Sequence, residues 1–135
     1  NYQALIAQYR IGNRVFFPNK FYSEAELAQL AKTCHIGVAV YDIGPLNITH
    51  YTDPGKVKTY AELGLPIVMT NTSAIAPFIR QFHCGEVIDR EKELAVALEK
   101  MQTHYVEYQQ GLKKFLSYFE YNSYYRTSFK ALEGR

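Results

Sequence analysis

The chain has 135 residues, 47% of them hydrophobic and 21% charged, with a formal net charge of +2. That content supports one globular domain with a real core and excludes disordered and fibrous classes. So small a charge gives no bulk electrostatic case for nucleic acid, and any anion site must be local. No stretch approaches the ~18 continuous apolar residues of a membrane span, and no charged-then-apolar leader opens the sequence. The expected location is cytoplasmic, with membrane contact only peripheral, at the inner face. Cys34 and Cys84 belong to no CxxC pair and no Cys/His cluster of metal spacing, so they read as reduced structural thiols and no metal site is expected.

In chain order, apolar periodicity alternates between helix and strand. Tyr2 to Arg10 is a short helix with Leu5, Ile6 and Tyr9 on one face, ended near Gly12. Val15-Phe16-Phe17 is a buried strand stopped by Pro18. Ser23 with Glu26 forms a capping box for a helix to about Thr33, with Leu27, Leu30 and Ala31 inward. Ile36 to Tyr41 is a continuous apolar run, the pattern of a parallel strand covered on both faces. A long polar loop, Asp42 to Thr52, follows and is a candidate binding loop.

Asp53 then caps a helix from about Pro54 to Leu63, ended by Gly64, and Ile67 to Thr70 enter the sheet. Asn71-Thr72-Ser73 cap a helix to about Phe82, with Pro77 in its first turn or at a kink. Gly85 ends that helix, Glu86-Val87-Ile88 gives a short strand, and Asp89 caps an amphipathic helix bearing Leu94, Val96, Ala97, Leu98 and Met101. From Tyr105 the pattern is helical throughout, with a break near Tyr121 to Ser123. The fold class is therefore α/β: a Rossmann-like three-layer sandwich with about four parallel strands and helices on both faces. Residues 1–104 form the sandwich, and 105–135 form a helical extension packed on it. The 12 tyrosines, several of them in that extension, serve either as a stacking platform for sugars or bases or as helix packing.

In such a sheet, ligands collect outside the carboxyl ends of the strands. That selects the loops Pro18 to Tyr22, Asp42 to Lys56, Thr70 to Ser73 and Ile88 to Arg90. The second ends in the start of a helix, where the unpaired first-turn amides and Lys56 together would make an anion site.

The order Arg14-Val15-Phe16-Phe17-Pro18, Ile36 to Tyr41, Asp53-Pro54-Gly55-Lys56, Gly64-Leu65-Pro66-Ile67-Val68 and Gly85 to Asp89 resembles the C-terminal domain of GT-B fold, group 1 type nucleotide-sugar glycosyltransferases. The resemblance spans about Asn13 to Met101 and implies binding of the sugar donor, a UDP- or GDP-linked nucleotide diphosphate sugar, with no tightly bound cofactor. It implies that the diphosphate rests on the amides of Gly55, Lys56 and Val57 beside the Lys56 ammonium. Where many relatives carry a ribose-binding Glu, this chain has Thr59, whose hydroxyl bonds one sugar oxygen but cannot clamp two. Glu62, one turn on, substitutes only if the helix is shifted. Asn19 and Phe21 fall where the family meets the nucleobase, with Phe21 as a stacking ring or as a staple before Ser23. Asp42, Asn47, His50 and Tyr51 offer hydrogen bonds to sugar hydroxyls, and His50 is a candidate for a general base on the ordinary imidazole pKa alone. The other histidines, His35, His83 and His104, read as structural.

The resemblance also begins mid-domain. It implies that the N-terminal domain, which holds the acceptor, is a partner supplied by the rest of the protein, and that this chain alone does not catalyse transfer. Exposed sheet edges would then favour self-association. Two other functions fit the same fold: a nucleotide-sugar epimerase and a noncatalytic binding or assembly module that uses the tyrosine-rich tail.

Overall fold

A computed structural model describes residues 2–18, 20–44, 46–120 and 130. Its helices are α1 (Tyr2–Gln8), α2 (Glu24–Ala31), α3 (Gly55–Glu62), α4 (Ala76–Phe82), α5 (Leu94–Thr103) and α6 (Tyr105–Tyr118). Three strands, β1 (Gly37–Ala39), β2 (Ile67–Thr70) and β3 (Gly85–Ile88), form one parallel sheet in the order β1-β2-β3. The register pairs Gly37 with Ile67 and Ile67 with Gly85.

The central strand is wholly buried, which is why it reads as unbroken Ile67-Val68-Met69-Thr70. On one face Ile67, Met69 and Ala39 meet Val57 and Ala61 of α3, Ala76 and Ile79 of α4, and Leu112 and Phe115 of α6. On the other face Val68 and Ile88 meet Ala97 and Met101 of α5 and Tyr108 of α6. Because α5 covers β2 and β3, Val38 of β1 is left 41% exposed, so this strand is not covered on both faces as expected.

The amino-terminal elements depart furthest from expectation. Val15 to Phe17 run as irregular chain, leaving three strands among the described residues, not about four. Phe16 is 73% exposed, and a strand without a neighbour has no partners for its backbone groups. The expected inner face of α1 buries no residue, with Leu5 and Tyr9 exposed. By contrast, the Ser23 and Glu26 capping box of α2 forms in full.

Helix ends differ in detail. Gly64 leaves α3 at φ +77°, as its sequence position requires, but α4 ends at His83, which takes the left-handed conformation at φ 51°. Gly85 instead starts β3. Pro77 lies in the first turn of α4, whose start receives no side-chain cap from Asn71, Thr72 or Ser73. Asp89 does not cap α5 either: a 3-10 turn, Glu91–Glu93, precedes it, and the Asp89 N–H donates to Glu93 Oε2 at 3.0 Å. On α6, Gly111 sits where a Cβ would collide with the backbone carbonyls of Phe82 and His83. Phe78, Phe82, Phe115, Tyr118 and Phe119 form a chain of ring contacts between α4 and α6, so these aromatics serve packing. The break near Tyr121 to Ser123, with Tyr124 and Tyr125, lies outside the described residues. Cys84 is fully buried, and burial pushes its thiol up to about 12.

Candidate functional site

All three strands point the same way, so their carboxyl ends share one edge. The helix α3 crosses back from that edge to the start of β2, which brings its N-terminus there. Val57 and Ala61, one turn apart and fully buried, anchor its inner face. Gly55, Lys56 and Thr59 are consequently presented outward.

The N-cap of α3 is Pro54, which has no side chain able to cap, and the helix dihedrals begin at Gly55. Asp53 does not cap as expected; its carboxylate is ion-paired with Lys58. A first turn without a side-chain cap leaves its leading amides open to an outside acceptor. One of the three expected donors is spent, because the Val57 N–H donates to the Pro54 carbonyl at 3.0 Å. Lys56 is exposed, and its Nζ lies 5.0 Å from the centre of the Tyr41 ring, a cation–π contact that limits where the ammonium can go.

Thr59 turns back on its own helix, donating to the Gly55 carbonyl at 3.2 Å. Glu62 is exposed farther along α3. In the preceding loop, Asp42 Oδ1 accepts from the Gly44 N–H at 2.9 Å. Asn47 is engaged within its own loop: its amide donates to the Asp42 carbonyl at 2.8 Å, and its Oδ1 accepts from both the Thr49 N–H and hydroxyl at 2.9 Å. It therefore caps the 3-10 turn Ile48–Tyr51. Tyr51 is exposed beside His50, their ring centres 6.4 Å apart.

The loop Pro18 to Tyr22 does not follow a strand of the sheet, so the criterion that selected it does not apply. Asn19 lies outside the described residues. Phe21 is 103% exposed, so its ring serves neither as core nor as staple and stands open to stacking.

Three buried side-chain polar atoms among the described residues have no hydrogen-bond partner: the Tyr41 hydroxyl, His50 Nε2 and the Ser73 hydroxyl. All three belong to the segments that follow β1 and β2. Buried polar groups are nearly always paired, so their confinement to this edge singles it out as the candidate site. Burial, with Tyr60 nearby, raises the Tyr41 phenol above its ordinary value, which keeps it protonated and a donor. Behind them, Thr70 accepts from the Tyr41 N–H at 3.0 Å and shares a 3.2 Å hydrogen bond with Thr72. Thr70 and Ser73 bound one of the loops expected at the ligand edge but were given no individual role, and Tyr41 was not singled out. Thr70 and Ser73 had a readable signal, a run of hydroxyl residues closing an apolar strand.

The glucosyltransferase 3-like C-terminal domain family matches residues 45–131. The chain belongs to this family. The matched span of the glucosyltransferase 3-like domain opens in the loop before α3 and runs through α6. It therefore contains the Lys56 helix start and the Thr70 to Ser73 turn. No curated protein and no solved structure gives a match to the chain. The chain is thus related to glycosyltransferases through its own C-terminal-type domain. Among its described residues no helix is long and apolar enough to cross a membrane, and no group of His, Cys, Asp or Glu could hold a metal ion.

Proposed function

We propose that the chain is the donor-binding portion of a GT-B glycosyltransferase, holding a nucleotide diphosphate sugar for transfer to a glycan or glycoconjugate acceptor. The observation that carries this reading is the uncapped start of α3 at the carboxyl edge, with Lys56 held over Tyr41. The amides of Gly55 and Lys56 donate to the diphosphate oxygens, and the ammonium neutralises part of their charge. Val57 contributes by anchoring the helix, since its N–H is already used. The family description favours glucose as the transferred sugar, carried by UDP or GDP. Acceptor contacts come from another domain, because in-line transfer needs both substrates across a cleft.

Titration of the chain with UDP and GDP, followed by NMR, is expected to shift Gly55 to Thr59. Absence of any shift at millimolar nucleotide would overturn the donor reading. Lys56→Ala is expected to weaken binding by about 1 to 3 kcal/mol, and unchanged affinity removes Lys56 from the site. A second reading, a noncatalytic binding or assembly module, draws on Thr59: its hydroxyl proton is committed to Gly55, so the ribose clamp common in similar transferases is missing.

A further inference from the structure

The Thr70 to Ser73 turn is held rigid, with one vacancy. Its backbone is fixed by hydrogen bonds from the Asn71 N–H to the Ile88 carbonyl at 2.9 Å and from the Ala76 N–H to the Ser73 carbonyl at 3.1 Å. Thr70 and Thr72 bond each other. Asn71 donates to Asp89 Oδ1 at 3.0 Å and accepts from Arg80 at 3.2 Å. Of its four polar side chains only Ser73, 9% exposed, has no partner. The same turn is joined to the phosphate element through Tyr41, whose N–H meets Thr70 and whose ring meets Lys56.

We infer that Ser73 is a specificity-determining residue that hydrogen-bonds a hydroxyl of the donor's sugar, while α3 and Lys56 hold its diphosphate. This rests on the donor-binding reading above. The chemistry selects a hydroxyl over a phosphate oxygen. A serine hydroxyl both donates and accepts, as a sugar hydroxyl does, whereas a phosphate oxygen only accepts. The turn carries no charge of its own, and an anion pressed against buried neutral hydroxyls would be poorly compensated. The Ser73 hydroxyl is buried, so the contact forms by rotation of its side chain about a backbone that the turn's hydrogen bonds keep in place. Leaving a buried hydroxyl unpaired until the ligand arrives makes that ligand's hydroxyl, and not merely its bulk, the group being recognised.

The test compares UDP with UDP-glucose, and GDP with GDP-glucose, by calorimetric titration of the full chain. The wild type is expected to bind the sugar-bearing form more tightly. Ser73→Ala should lose about tenfold in affinity for the sugar nucleotide with the free nucleotide unaffected, and Ser73→Thr, which keeps the hydroxyl, should retain the preference. As a measurement independent of the variants, the Ser73 amide resonance should move with UDP-glucose and stay still with UDP. Nucleotide binding without sugar preference, an equal loss for both ligands in Ser73→Ala, or a still Ser73 resonance overturns this inference and leaves the donor reading intact. Failure of every nucleotide to bind overturns the donor reading, and this inference with it.

Discussion

Polar side chains are treated in opposite ways at the two ends of the sheet. Near the start of β3, Glu86 accepts from the Tyr108 hydroxyl and from Lys100, the latter at 2.8 Å. His83 stacks on the Tyr108 ring at 4.5 Å, and Glu107 faces His83 at 3.8 Å and His104 at 3.1 Å. That cluster ties α6 and α5 to the sheet and leaves none of these groups without a partner. At the carboxyl edge the Tyr41, His50 and Ser73 atoms are buried without partners. A closed network specifies structure, whereas an open one keeps hydrogen-bonding capacity for something else.

The contrast predicts which substitutions damage the fold and which damage binding. The largest effect should come from Tyr108→Ala, which removes a fully buried ring and one partner of Glu86. A loss of about 3 to 5 kcal/mol is expected in denaturant unfolding, and a near-neutral result would show that the closed cluster holds nothing together. At the other end, Lys56→Ala should leave stability within about 0.5 kcal/mol of wild type while weakening nucleotide binding. A comparable drop in stability would erase the distinction between the two ends.

Thr59→Glu sharpens the comparison from the binding side. It places a carboxylate on the exposed face of α3 where the GT-B resemblance implies one, and UDP binding measured by calorimetry should tighten by about 1 kcal/mol. Weaker binding would separate this helix from the one the resemblance implies.

The smallest effect concerns pH. Burial alone would raise the Glu86 carboxyl, but hydrogen bonds from Lys100 and Tyr108 outweigh it and hold the group below its ordinary value of 4.5. A carboxyl that titrates lower when folded stabilises the fold fully above its unfolded value, and that contribution fades as pH falls through the lower folded one. Lys100 is half exposed, so the effect is under about 1 kcal/mol. Thermal melts between pH 7 and pH 3 should show a shallower acid limb in Glu86→Gln than in wild type. Identical limbs would remove Glu86 from the acid response.

Local patterns were the legible part of this chain. The Ser23 and Glu26 box, the apolar run of β2, the glycine stop at Gly64 and the Lys56 helix start each depend on residues within a turn or two. Val15 to Phe17 carried the same apolar signature as β1, but a strand exists only where a neighbour accepts it, and that neighbour is not encoded nearby. Asn47 was read as a sugar ligand because loop amides are polar, yet its hydrogen bonds are all to its own loop. Ser73 was read as part of a cap and as the end of a loop at the ligand edge, and nothing local could reveal its unpaired hydroxyl. Its status depends on Thr70 meeting Tyr41 and on Asn71 meeting Asp89, contacts between segments far apart in the chain.

The close approach at Gly111 bears on the order of folding. α6 can seat only against a finished turn, because the Phe82 and His83 carbonyls that Gly111 touches take their positions when His83 adopts its left-handed conformation. Docking of α6 therefore reports that α4 and β3 are already joined. In the chain α6 follows all three described strands, so it acts as a latch that fastens a nonlocal sheet from the carboxyl side of the sequence.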